Sequence, residues 1–154
     1  MSKLIIAIPR GRIIKELKPI LKKTSFAPEN EMFDDKSRKL TFLSKNKDIN
    51  FIKVRAFDAC TFVAFGAAQI GIAGEDVIKE YNYSEIYAPL ELNIGHCRLS
   101  VAALKTLLKK EDPETWSNIR VATKYPNISK EYFASKGIQV ESIKLNGSME
   151  LAPS

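Results

Sequence analysis

A chain of 154 residues, 45% hydrophobic and 27% charged, is long enough to bury a core, and it lacks any apolar run of about 18 residues, which excludes a helical membrane span. Its formal net charge of +6 favours polyanionic partners, but lysines are scattered among acids, as in Lys109-Lys110-Glu111-Asp112, with no basic block interleaved with aromatics, so a nucleic-acid interface is not expected. Cys60 and Cys97 share no metal-type spacing with His96, the single histidine, and the adjacent His96 and Cys97 side chains would point to opposite faces of an extended segment, which excludes a disulfide framework, a zinc site and a nucleophile pair.

Leu4 to Ile8 is a short apolar run rich in branched residues and reads as a buried strand, ended by Pro9 and followed by Gly11. Pro9, Arg10 and Arg12 interrupt it too early for a signal peptide, so the chain is expected in the cytoplasm. From Ile13, the apolar positions Ile13, Ile14, Leu17, Ile20 and Leu21 follow helical spacing, with Lys15, Glu16, Lys18, Lys22 and Lys23 opposite. Pro19 inside this helix predicts a kink or two shorter pieces.

Leu40 to Leu43 and Ile49 to Val54 read as a hairpin around the polar turn Ser44 to Asp48, the second strand alternating imperfectly. Asp58 is placed to cap a helix running through Phe62, Val63 and Phe65 to Gly66, where glycine ends it. Ile70 to Gly74 reads as a further buried strand, and Glu75-Asp76 opens a helix from Val77 to Tyr81. Tyr87 to Gly95, with Pro89 among extended apolar residues, suits a crossover between lobes, with the boundary near Asn93. Beyond it, Arg98 to Ala103, Ile119 to Thr123 and Ile138 to Leu145 read as strands, and Asp112 or Ser129 as caps of short helices. Strands alternating with helices predict α/β layers around a largely parallel sheet.

Chemistry is expected at the strand-to-helix turns. Pro9-Arg10-Gly11-Arg12 puts two guanidiniums and a glycine between a buried strand and a helix start, where open α/β sheets expose their ligand crevice. Amides at a helix start favour anions, glycine permits close backbone approach, and arginine grips phosphate in a bidentate fork. Read alone, the same arginines suit an ordinary solvated turn. Arg55 and Asp58 bracket the next such turn, as a second cationic contribution or as a local ion pair. The turn Gly71 to Asp76 lacks the spacing of standard nucleotide-binding glycine loops. Lys124-Tyr125 and the segment Asn146 to Glu150 each end a strand with polar, turn-forming residues, so the second lobe also points donors at a strand-end crevice.

The ordered series Ile8-Pro9-Arg10-Gly11-Arg12, Arg55-Ala56-Phe57-Asp58, Gly66 to Val77, Cys97-Arg98-Leu99, Arg120 to Asn127 and Lys144 to Pro153 resembles the catalytic subunits of short-form ATP phosphoribosyltransferases over nearly the whole chain. The last two blocks carry the most specificity: a strand leading into Ala122-Thr123-Lys124-Tyr125-Pro126-Asn127, then Lys144-Leu145-Asn146-Gly147-Ser148.

The resemblance implies an α/β protein of two lobes with the type II architecture of periplasmic binding proteins: a first lobe over 1–93 and a truncated, incomplete second lobe over 94–154. It implies transfer of the phosphoribosyl group of phosphoribosyl pyrophosphate to N1 of ATP, with Mg²⁺-bound pyrophosphate leaving, at the start of histidine biosynthesis. It assigns phosphate contacts to Arg10, Gly11, Arg12 and Arg55. The nucleotide pocket falls to Gly71, Gly74, Glu75, Asp76, Lys124, Tyr125, Asn146, Gly147, Ser148 and Glu150. No side chain is needed as nucleophile and none as metal ligand, because positioning and fixed charge carry the reaction. A dimer and a hetero-oligomer with a regulatory subunit similar to histidyl-tRNA synthetase are expected, through which histidine inhibits.

By the resemblance, Gln69 stands where aspartate or another residue is expected in many relatives and Arg10 where lysine is frequent, which shifts the detailed cleft contacts. Family members continue into an aspartate-bearing strand and a Thr-Gly-x-Thr-Leu type loop that cradles the ribose phosphate, so this chain by itself is expected to have little or no transferase activity. Uncovered apolar edges on the second lobe, with association or local disorder near Pro153, are expected as well. The contrasting reading from another class is a non-catalytic small-molecule binding or effector domain of the same two-lobed fold, which needs no phosphate-directed arginines.

Overall fold

The apolar run near the start forms β1, Leu4–Pro9, followed by α1, Arg12–Lys22. In the computed structural model, which describes residues 3–152, β1 is central to a four-stranded sheet ordered β2-β3-β1-β4, with β2 at Thr41–Leu43, β3 at Ile49–Val54 and β4 at Ile70–Gly71. Strands β3 and β4 both run parallel to β1, and β2 returns antiparallel on β3 as the hairpin expected.

Burial on both faces explains why β1 is apolar throughout rather than alternating. Ile6 and Ile8 face one side with Ile14, Leu17 and Leu21 of α1, together with Met32, Phe42 and Phe51. Ala7 faces the other side with Ala59 of α2 (Ala56–Ala64) and Ala68, flanked by Ile5, Ile52, Val54 and Val63. Small residues on this second face let α2 come close to the sheet. The imperfect alternation of β3 has a cause on the α1 face: Lys53 shares that face with Phe51 and is itself buried. Its Nζ donates to the carbonyl of Asp34 at 3.2 Å and lies 5.3 Å from the centre of the Phe42 ring, so the long side chain buries its stem and satisfies its charged tip.

Several local expectations are corrected. Pro19 does not divide α1, which is a single helix with Pro19 exposed in its final turns; the ring removes only the donor that would have met the Lys15 carbonyl. Asp58 does not cap α2. The helix begins earlier, with Arg55 as N-cap in extended conformation and Asp58 in the first turn, a position where a carboxylate still suits the positive helix end. Gly66, at φ 73°, follows the end of α2 in the left-handed conformation that glycine tolerates. The strand expected over Ile70 to Gly74 shortens to two exposed residues paired with β1 alone. Next comes α3, Glu75–Tyr81.

Two compact units divide the chain at Cys97 and Arg98, later than Asn93. The reason is packing: Leu92 and Ile94 sit against the α1-side core, and Gly95 N–H donates to Glu16 on α1 at 2.8 Å, so the crossover stays with the first unit past Asn93.

The second unit pairs β5, Asn118–Thr123, in parallel with β6, Gln139–Lys144, joined by α5, Pro126–Ala134. Residues 98–103, expected as a strand, form none and are exposed; branched residues stay extended only where a neighbour strand satisfies their backbone. A short helix, α4, spans Lys105–Leu108. Asp112 does act as a cap, accepting from Glu114 N–H at 3.0 Å at the start of a 3₁₀ turn. Ser129 does not: it is buried within α5, whose N-cap is Tyr125 with Pro126 at the first helical position. The expectation for Pro153 falls outside the described residues.

Candidate functional site

Parallel pairing in the first unit aligns Pro9 of β1 with Val54 of β3, and Arg10 N–H donates to the Val54 carbonyl at 2.9 Å. The residues leaving these two neighbouring strands are therefore Arg10, Gly11 and Arg12 on one side and Arg55 on the other. All four are exposed. Gly11 is the N-cap of α1 at φ 98°, a backbone state that side chains rarely adopt. Neither α1 nor α2 has a side-chain hydrogen bond at its N-cap.

Among the described residues no ion pair joins Arg55 to Asp58. Arg12 is loosely paired, its Nε 3.8 Å from Glu16 Oε1.

Next to β1 on its other side, Ile72 N–H donates to the Ala7 carbonyl at 2.9 Å and the chain leaves the sheet through Gly74, N-cap of α3. Gly71, Gly74, Glu75 and Asp76 therefore share the first sheet's carboxyl edge with the arginines. The two glycines have structural reasons of their own. A Cβ on Gly71 would lie 2.8 Å from Val63 Cγ2 and 3.3 Å from the Ala59 carbonyl oxygen, so the missing side chain is what lets α2 approach β4. A Cβ on Gly74 would collide with the Asp76 carboxylate. Glu75 bonds Lys79 at 2.7 Å one turn on, and this contact raises the lysine above its ordinary pKa. The edge thus carries fixed cations at the ends of β1 and β3, with carboxylates after β4. That polarity suits a polyphosphate lying across β1 and β3.

Gln69 lies away from this edge. Its Oε1 accepts from Ile5 N–H at 2.8 Å, near the start of β1, so it alters no contact at the arginine turns. A hollow of about 480 Å³ also lies at that far end, lined by residues including Lys22, Ala27, Pro28, Leu43 and Ser44. The exposed residues Arg10, Gly11, Arg12 and Arg55 form a shelf at the carboxyl edge of this unit. Lys53 escaped the sequence reading because a lysine inside an apolar strand looks solvent-facing; the broken alternation of β3 was the available signal.

In the second unit the same logic recurs on a smaller scale. Thr123 of β5 aligns with Lys144 of β6, and Leu145 N–H donates to the Thr123 carbonyl at 3.0 Å, so Lys124 and Tyr125 leave the sheet beside Asn146 and Gly147. Thr123 Oγ1 accepts from Tyr125 N–H at 3.0 Å and lies 3.3 Å from Ser129 Oγ, which fixes the turn into α5. Ser148 adopts the left-handed conformation, φ 56°, and starts a 3₁₀ turn containing Glu150. Each unit therefore gathers its own candidate residues at the carboxyl ends of parallel strands. Among the described residues no group of three or more His, Cys, Asp or Glu side chains is arranged to hold a metal ion, and no helix is long and apolar enough to cross a membrane.

These features define an α/β protein of the class that presents its ligand crevice at the carboxyl edge of a parallel sheet. Comparison with known proteins narrows the class. A family model described as "HisG: ATP phosphoribosyltransferase" matches residues 55–154. An ATP phosphoribosyltransferase of Rhodospirillum rubrum is 55% identical over 152 residues, covering 99% of this chain and 67% of the relative. That of Paramagnetospirillum magneticum is 53% identical over 153 residues, covering 99% of this chain and 70% of the relative. Among solved structures, the ATP phosphoribosyl transferase (HisG:HisZ) complex from Thermotoga maritima matches with a TM-score of 0.61 at 30% identity, covering 97% of this chain and 68% of that one. The chain belongs to the ATP phosphoribosyltransferase family, pentosyltransferases of the first step of histidine biosynthesis, and spans about two thirds of the length of these relatives.

Proposed function

We propose that this chain binds phosphoribosyl pyrophosphate and ATP for transfer of the phosphoribosyl group to N1 of ATP with release of pyrophosphate, and that Arg10, Gly11, Arg12 and Arg55 receive the phosphates. The observation that carries the assignment is the alignment of Pro9 with Val54, which makes Arg10 and Arg55 exits of adjacent strands at one edge. Negative charge builds on the departing pyrophosphate as the sugar becomes cation-like, so guanidiniums at that position stabilise the transition state more than the ground state. Mg²⁺ enters with the pyrophosphate as part of the substrate.

Alignment of two bound reactants contributes on the order of 7 to 11 kcal/mol to lowering the barrier, and no nucleophilic side chain is required. Glu75, Asp76, Lys124, Tyr125 and the Asn146 to Glu150 segment are assigned to the nucleotide. The two units correspond, on this reading, to the lobes of a type II periplasmic-binding-protein architecture. A separate regulatory subunit similar to histidyl-tRNA synthetase is the proposed partner, supported by the two-component complex found for the Thermotoga maritima neighbour.

Calorimetric titration with phosphoribosyl pyrophosphate tests the assignment. Arg10→Ala and Arg55→Ala each weaken binding roughly tenfold to a hundredfold, the effect of losing a charge-assisted hydrogen bond, whereas Lys45→Ala, an equal change of charge on an exposed residue at the opposite end of the sheet, leaves it within about twofold. Equal affinity in all three variants overturns the proposal.

A further inference from the structure

The crossover that leaves the first unit is held to α1 by the side chain that also meets Arg12. Glu16 Oε2 accepts from Gly95 N–H at 2.8 Å, and Oε1 of the same carboxylate lies 3.8 Å from Arg12 Nε. Gly95 is at φ 67°, and a Cβ there would be 3.5 Å from Ile13 Cγ1. The backbone thus lies beside α1, where a Cβ would make ordinary contact with Ile13, in a left-handed conformation suited to glycine, with Leu92 and Ile94 packed on the core just before it. One carboxylate therefore faces both a residue of the cationic turn and the last stretch of the first unit.

The two contacts differ in strength. The Gly95 bond is short and charge-assisted. The Arg12 pair is long, its guanidinium is 69% exposed, and arginine preceding glutamate by four residues is the less favourable order on a helix. An anion arriving at the turn can draw Arg12 away at little cost. Glu16 then directs its whole charge at the Gly95 amide, and that bond tightens.

We propose that Glu16 is a positioning residue that couples anion binding at the Arg10 to Arg12 turn to the hold on the crossover at Gly95. The inference rests on the phosphate reading of that turn. In ATP phosphoribosyltransferase terms, a filled phosphate site would stiffen the segment leading toward the second unit without any contact between that segment and the ligand.

Inorganic pyrophosphate added to the ¹⁵N-labelled chain is the test, with the Gly11 amide shift reporting occupancy and hydrogen exchange at the Gly95 amide reporting the coupling. In the native chain pyrophosphate slows Gly95 exchange roughly threefold to tenfold, the range of one modest hydrogen-bond increment. Glu16→Gln keeps an acceptor for Gly95 and loses the charge, so its basal exchange stays within about threefold and its response to pyrophosphate disappears. Glu16→Ala exchanges about tenfold faster throughout and does not respond. A Gly11 shift with unchanged Gly95 exchange in the native chain, or a full response in Glu16→Gln, overturns the coupling and leaves the phosphate reading standing. Absence of any Gly11 shift overturns both.

Discussion

The two units put a similar device, polar turns at the ends of parallel strands, on very different foundations. In the first unit the sheet is covered on both faces, and Phe42, Phe51, Ile8, Leu17 and Met32 are fully buried. In the second, α5 packs on β5 and β6, no large side chain is fully buried, and Phe133 is the one large apolar side chain that is buried among the described residues of that unit. Leu99, Val101, Leu104, Leu107 and Leu108 are exposed. A turn is only as well positioned as the strands that launch it, so the arginine edge is preorganised by its core, while the Lys124 and Asn146 turns depend on one strand pair. The difference teaches that the turns of the first unit are held by packing and those of the second mainly by local hydrogen bonds such as those at Thr123.

Truncating a core aromatic is the sharpest way to break this contrast. Phe51→Ala is expected to cost about 3 to 5 kcal/mol, and Phe133→Ala less, because its exposed neighbours can collapse into the space. Trp116, the single tryptophan, lies in the second unit, so its fluorescence during urea unfolding follows that unit, while far-ultraviolet circular dichroism is weighted toward the first. Phe133→Ala moves the Trp116 transition and Phe51→Ala the dichroism transition. Coincident shifts in both signals for both variants would show one cooperative body and erase the distinction.

Gly71→Ala probes the α2 face at smaller scale. The added methyl meets Val63 and the Ala59 backbone, and the expected loss is about 1 to 3 kcal/mol. A variant as stable as the native chain in the same titration would show that α2 can yield. The smallest effect concerns acid. Glu29 accepts from Lys39 Nζ at 2.6 Å and from Leu43 N–H at 2.9 Å, and these contacts, the lysine first, hold its carboxyl below the ordinary range. A carboxyl with a depressed folded value contributes stability that is complete above its unfolded value of about 4.3 and disappears as pH falls through the folded one. Glu29→Gln should therefore flatten the acid limb of the first unit's stability profile by lowering the plateau above pH 6 without changing its slope; an unaltered acid limb in thermal melts across pH 3 to 6 would leave Glu29 without a part in acid stability.

Much of the fold was legible because its signals are local. Leu4 to Ile8, Ile49 to Val54 and Ile119 to Thr123 are short branched runs with turn residues beyond them, and α1 shows its buried stripe at helical spacing. The errors have local causes too. Asp58 and Ser129 are good capping residues in the wrong place: Ala56 and Phe57 already accept helical geometry, and Pro126, which favours the first helical position, marked the start of α5 ahead of Ser129. Residues 98–103 have strand composition without a strand to pair with. The arginines of the shelf were identified by residue type and by their position after strands, and the motif series named the family.

The sequence by itself determined the succession of strand, cationic turn and helix, since propensity, capping and glycine placement act within a few residues. Only the tertiary structure decided which turns share an edge, because parallel pairing sets Val54 beside Pro9 across a long stretch of chain. It also decided that Gly71 serves the approach of α2 and that Glu16 reaches Gly95, 79 positions away. Close approach between distant segments depends on the shape of the packed core, and no short window of residues contains that shape.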